Sequence, residues 1–158
     1  MTNPLSILMV CTGNICRSPM AEGALRAAAV REGLALRLDS AGTHGYHVGE
    51  PPDPRARQVA REGGAPIDDL RARRVSQEDF REFDLILAAD RGHLRELAQL
   101  QPEGARAQVE LILPFSGAFA ANSDLADPYY GELADFREVW RQLQLATPGL
   151  LRRALGKS

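Results

Sequence analysis

Both cysteines of this sequence stand in one stretch, VCTGNICRSPMAEG, Val10 to Gly23. Cys11 comes first, Cys16 follows, and Arg17, Ser18 and Pro19 come directly after it. The apolar run Leu5 to Val10 leads in, and a helical pattern leads out. A turn between a strand and a helix aims successive main-chain N–H groups at one point, and the helix N-terminus adds partial positive charge. Gly13 and Asn14 are the residue types best able to take the left-handed backbone of such a curl. Arg17 closes the cradle with a planar fork that matches two oxygens of a phosphate. No Gly-Lys-Ser/Thr follows, so this is not a Walker loop.

Cys11 at the floor of such a cradle gains a second meaning. The field that holds an oxyanion also favours a thiolate, which is the nucleophilic form of cysteine. Ser18 is placed to donate a hydroxyl hydrogen bond to the sulfur. Thr12, Gly13, Asn14, Ile15, Cys16 and Ser18 are then the expected phosphate-binding residues, with Cys11 as nucleophile and Arg17 as transition-state clamp. Cysteine followed six residues later by arginine carries little information alone. The full string at a strand-to-helix junction is specific for phosphoryl transfer to cysteine.

Departure of an alcohol or phenol also needs a proton. Asp127 in DPYY is the expected general acid and base, because its loop follows the fourth strand and returns to the sheet edge of Cys11. Asp124 is the rival. His44, His47 and His93 have no metal-ligand spacing and are read as surface or packing residues. No metal and no cofactor are expected. Asp90 is either an anchor of an active-site loop, through an arginine, or the cap of the following helix. Arg71, Arg73 and Arg74 are read as a solvated face, and Trp140 as core.

The elements that position these residues alternate. Strands are expected over Leu5 to Val10, residues 35–40, Asp84 to Asp90 and Val109 to Leu113. A first helix is expected with Ser18 as cap and Pro19 at its first position, ending at Gly33. Further helices are expected over Arg55 to Glu62, Arg91 to Leu100 and Glu132 to Leu145, the last broken by Pro148 and Gly149. Ser76 with Asp79 reads as a capping box. Such alternation implies an α/β fold: a four-stranded parallel sheet with helices on both faces, three layers of the flavodoxin-like kind. Ligands of such sheets sit beyond the carboxyl ends of the strands, where Cys11 lies. A single domain over residues 1–158 suits the length.

Lysine plus arginine is 19 and aspartate plus glutamate 21, a net charge of −2, so charge alone argues for no nucleic-acid partner. No apolar run reaches membrane-spanning length. Two cysteines make no disulfide framework, so a reducing, cytoplasmic setting is expected.

Taken together, the signature at 10–23, DSAGT at 39–43, HVGEPPDPRA at 47–56, DFREFDLILAAD at 79–90 and DPYYG at 127–131 resemble the low-molecular-weight protein tyrosine phosphatases. The resemblance implies a cysteinyl-phosphate pathway without metal, acting on tyrosine-phosphorylated protein or peptide and releasing inorganic phosphate. It implies that Asn14, Ser18 and Ser40 form a hydrogen-bond network under the loop. It also makes Cys16 a resolving thiol that protects an oxidised Cys11, hence redox sensitivity. Two departures stand out. Leu70 occupies a position where the family often carries a histidine of that network, and Tyr46 stands where an aromatic wall is often Trp. Tyr46 and Tyr129 are expected to flank a phenyl ring, with Tyr130 a weaker candidate. Three alternatives remain. A protein-arginine phosphatase of similar loop carries Thr where Ile15 stands. An arsenate reductase needs relay cysteines beyond Cys11 and Cys16. A non-catalytic phosphopeptide-binding module would not require an intact Cys11, Arg17 and Asp127.

Overall fold

The computed structural model describes residues 5–156. β1 (Ile7–Cys11) is buried along its whole length. Ile7, Met9 and Cys11 face one apolar cluster, and Leu8 and Val10 face another on the opposite side of the sheet. A strand covered on both faces needs apolar side chains at every position, which is why its sequence does not alternate. β2 (Leu38–Gly42) and β3 (Leu85–Ala88) pair in parallel with β1 on either side, and β4 (Gln108–Leu111) pairs in parallel with β3. The order is β2-β1-β3-β4, so the chain reverses its direction of travel across the sheet beside β1. The crevice at such a reversal, beyond the carboxyl ends of the strands, is where open α/β sheets bind ligands. Cys11 is the last residue of β1.

Helices cover both faces, as the alternation implied. α1 (Arg17–Arg31), α2 (Pro54–Glu62) and α5 (Leu133–Ala154) pack on the first cluster through residues such as Met20, Leu25, Val59, Phe136 and Leu143. The short α3 (Asp79–Glu82) and α4 (Arg91–Leu100) cover the other through Phe80 and Leu97.

Several boundaries differ from the sequence reading. Ser18 does not cap α1. The helix begins at Arg17 after Cys16, with no side-chain cap, because the Ser18 hydroxyl is engaged by Cys11 and Asn14. Pro19 consequently lies within the first turn, where its missing N–H has no intrahelical partner to lose. β2 starts later than expected and runs to Gly42, whose closeness to the first loop is enforced: a Cβ there would lie 2.5 Å from the Thr12 carbonyl oxygen. The Ser76 turn does not open a helix with its hydroxyl; α3 starts at Asp79, whose carboxylate accepts the Ser76 N–H at 2.8 Å. The largest correction is α5, which passes through Pro148 to Ala154. Leu150 and Ala154, beyond the proline, are buried, and Gly149 lies so close to the Phe115 carbonyl that a Cβ would collide. Tertiary packing there outweighs the hydrogen bond the proline forgoes.

Candidate active site

The first loop, residues 12–16, joins β1 to α1. Asn14 has φ 59°, the only non-glycine described residue in the left-handed region. Gly13 does not share that conformation. A Cβ there would sit 2.8 Å from His47 Cδ2, so any side chain would have to displace the His47 ring. The loop carbonyls are held from outside: Cys11 O accepts from Thr43 N at 2.9 Å, Thr12 O from His44 N at 3.0 Å, and Ile15 O from Asp53 N at 2.8 Å. Among the described residues, no main-chain N–H of residues 12–16 donates to a protein acceptor. With its carbonyls bound from outside and its N–H groups unspent, the curl has the character of an anion nest.

The side chains beneath the curl form a directed chain of hydrogen bonds. The Arg73 N–H donates to Asn14 Oδ1 at 3.0 Å, which fixes the orientation of the Asn14 amide. Asn14 Nδ2 then donates to Ser18 Oγ at 2.8 Å and to Ser40 Oγ at 3.0 Å. Ser18 Oγ also lies 3.0 Å from Cys11 Sγ; when the sulfur is a thiolate, the hydroxyl is the group that donates. Ser40 donates to the buried Glu22 at 2.7 Å, and Glu22 pairs with Arg26. Leu70 packs against the first apolar cluster and adds nothing to this chain, which ends instead on Glu22 and Arg26.

Arg17 is 3% exposed, and a buried guanidinium needs a counter-charge. Its Nη1 donates to Asp90 Oδ2 at 2.9 Å and to Leu125 O at 2.8 Å. Nε and Nη2 keep three further protons, and Nη2 lies 3.7 Å from Asp127 Oδ2. Asp90 therefore holds both of its anticipated positions: it binds Arg17, and it caps α4 by accepting the His93 N–H at 3.0 Å. Burial works against its charge, but the bonds from Arg17 and the His93 N–H prevail and hold the carboxyl below the usual range. His93 is neither surface nor mere packing. Buried at 3% exposure, it returns the cap by accepting the Asp90 N–H, and its Nε2 meets Thr12 Oγ1 at 2.7 Å. Burial lowers its pKa, which keeps the ring neutral.

Cys11, Thr12, Gly13, Ile15, Cys16 and Arg17 line a cavity of about 150 Å³ together with Tyr46, His47, Asp127, Tyr129 and Tyr130. Ser18, Asn14 and Ser40 stand behind it, in the network. Cys11 and Cys16 are both free and buried. Burial, aided by the charge of nearby Cys11, pushes the Cys16 thiol up, so it stays protonated. Asp127 accepts the Tyr129 N–H at 3.1 Å in a tight turn and is otherwise open to the cavity. Asp124 is outside that cavity, tied to the Arg91 N–H at 2.9 Å and to its guanidinium, whose bonds hold its carboxyl low. Arg73 is no solvated residue: it forks onto Asp79 with two bonds of 3.0 Å and reaches Asp39. Among the described residues, no group of three or more His, Cys, Asp or Glu side chains could hold a metal ion, and no helix is long and apolar enough to cross a membrane.

Sequence reasoning missed Glu22, Arg26, Arg55, Arg73 and His93. The motif around Arg55 was visible, but the contacts that tie Arg55, Arg73 and His93 to the site reach residues more than fifty positions away, and Glu22 with Arg26 is an ordinary helix-surface spacing.

The fold and cavity define a doubly wound α/β protein with an anion cradle at the carboxyl end of its first strand. The profile described as "Low molecular weight phosphotyrosine protein phosphatase" matches residues 6–158. A Mycobacterium bovis protein named low molecular weight protein-tyrosine phosphatase A is 46% identical over 153 residues, 95% of this chain and 91% of that one. A protein tyrosine phosphatase from Entamoeba histolytica, solved with Hepes in its active site, superposes with a TM-score of 0.89 at 34% identity, covering 96% of this chain and 98% of that one. A Drosophila arginine phosphatase superposes with a TM-score of 0.86 at 30% identity, covering 94% and 97%. The chain belongs to the low molecular weight phosphotyrosine protein phosphatase family.

Proposed function

We propose that this chain forms one phosphatase domain that hydrolyses phosphotyrosine in proteins through a phosphorylated Cys11. The Cys11 thiolate attacks phosphorus, an S–P bond forms and the ester P–O bond breaks. The departing phenolic oxygen takes a proton from the Asp127 carboxyl. Water then attacks phosphorus and yields its proton to the Asp127 carboxylate; the S–P bond breaks, the thiolate returns and inorganic phosphate leaves. The loop N–H groups and the free edge of Arg17 bind the equatorial oxygens where charge spreads in both transition states. Ser18 steadies the thiolate between steps. Each role is carried by this chain's own residues, and the pathway balances without a cofactor.

The observation that carries the reading is the convergence of Cys11, Arg17 and Asp127 on one cavity in a member of this family. Tyr46, Tyr129 and Ile15 on the same cavity favour a flat aromatic ester over an aliphatic or guanidino one. The two free thiols fit action on phosphoproteins in a reducing, cytoplasmic setting. The test is a panel of tyrosine-, serine- and arginine-phosphorylated peptides with Cys11→Ser as control. Hydrolysis of phosphotyrosine above the others, lost in the control, is the expected result. Preference for phosphoarginine would move the chain to the alternative specificity, and binding without turnover would make it a phosphopeptide-binding module.

A further inference from the structure

The loop that carries Asp127 has no regular structure of its own between the 3-10 turn Leu113–Ser116 and Leu133. On one side of Asp127 it is anchored by buried Leu125, whose N–H donates to Ala89 O at 2.9 Å and whose carbonyl accepts from Arg17. On the other side, one side chain does the anchoring. Arg55 donates from Nη2 to Tyr129 O and from Nη1 to Gly131 O, each at 2.9 Å. Arg55 stands in the first turn of α2 and is gripped by Asp53, with Nε to Oδ1 at 3.0 Å and Nη2 to Oδ2 at 2.9 Å. Its guanidinium also lies over the Phe136 ring, 4.4 Å from the centroid. Asp53 in turn donates its N–H to Ile15 O in the first loop at 2.8 Å. A continuous path of hydrogen bonds thus runs from the loop of the sulfur, through Asp53 and Arg55, to the loop of Asp127.

We propose that Arg55 is a positioning residue for proton transfer: it sets the distance between Asp127 and the leaving oxygen above Cys11. This rests on Asp127 being the general acid. Asp127 has no other fixed partner, since its own contacts are the Tyr129 N–H and the more distant Arg17. A general acid must come within hydrogen-bond reach of the atom it protonates, and misplacement by about 1 Å can cost about 10²-fold in rate. Only a planar guanidinium can bind a carboxylate and two carbonyls at once in this geometry; an ammonium cannot.

The test is kcat/KM over a series of aryl phosphates of rising phenol basicity, for wild type, Asp127→Ala, Arg55→Gln, Arg55→Lys, Asp53→Asn and the double variant of Asp127→Ala with Arg55→Gln. With the most basic phenol, Arg55→Gln loses about tenfold; with the most acidic, which departs without help, the change stays within about twofold. Lysine does not rescue, and the double variant is no slower than Asp127→Ala alone. Asp53→Asn keeps the α2 cap but loosens the fork, and shifts the series the same way should Arg55→Gln fail to fold. An equal loss across all phenols, or a loss that multiplies fully with that of Asp127→Ala, overturns the proposal. If Asp127→Ala itself shows no leaving-group dependence, the acid assignment falls and takes this inference with it. If Asp127→Ala shows it while Arg55→Gln and Asp53→Asn do not, Arg55 alone is wrongly assigned.

Discussion

Cys11 is 3% exposed and Asp127 46%, although both line one cavity. The loop after Cys11 is held by Thr43 and His44 just past β2, by the segment at Arg73 and by α4, each through hydrogen bonds. The loop around Asp127 is pinned on one side at Asp124 and Leu125, by Arg91, Ala89 and Arg17, and on the other by Arg55 alone, and between them it presents the Asp127 carboxyl to solvent. The contrast suits the chemistry proposed for each. A dianion bound by main-chain N–H groups needs a cradle that does not reorganise as charge shifts. A group that protonates a leaving oxygen and then takes a proton from water needs contact with water, and with substrates of varied shape.

Substitutions at the two loops should therefore behave differently. The largest effect is expected at the open loop. Asp127→Ala should lower kcat/KM for phosphotyrosine by about 10²-fold, while Asp124→Ala, which loses only the Arg91 contact, stays near wild type in the same assay. The reverse pattern would make Asp124 the acid. At the closed loop, Ser18→Ala removes one hydrogen bond to the sulfur and leaves Asn14 Nδ2 short of one acceptor. That should slow turnover by about tenfold for every leaving group alike, the equivalent of about 1.4 kcal/mol. A loss confined to basic phenols would show that Ser18 belongs with the acid and not with the sulfur. The smallest effect concerns His93. Because burial holds its folded pKa below the unfolded value of about 6.5, the stability it contributes is complete above that pH and erodes as pH falls toward the folded value. The wild-type melting temperature should thus decline by a few degrees below about pH 6.5, and His93→Asn should flatten that decline. A wild-type curve already flat across this range would show that the ring gains its proton without cost.

The same contrast explains what could be read from the sequence. The closed loop was legible because its parts are consecutive: an apolar strand, a glycine, an asparagine able to take positive φ, an arginine and a helix. The place of Asp127 on the cavity was legible through its turn chemistry, since Asp-Pro and the adjacent tyrosines mark a loop on the right edge of the sheet. What tethers each loop was not. Arg55 meets Tyr129 and Gly131 more than seventy positions away, His93 meets Thr12 eighty-one positions away, and Arg73 meets Asn14 fifty-nine away. No local periodicity encodes such pairs. Pro148 misled for the related reason that packing of Gly149 and Leu150 against distant residues overrides a local stop signal. Ser18 misled because its hydroxyl has a better partner in Cys11 than in a helix terminus.

The central claim is tested most directly by quenching the Asp127→Ala enzyme during turnover of an aryl phosphate with a good leaving group, then measuring the mass of the peptide that holds Cys11. One added phosphoryl group on Cys11, absent when Cys11→Ser is combined with the same background, is the result this account predicts. Steady turnover with no phosphoryl group on Cys11, or with one on any other residue, would contradict it.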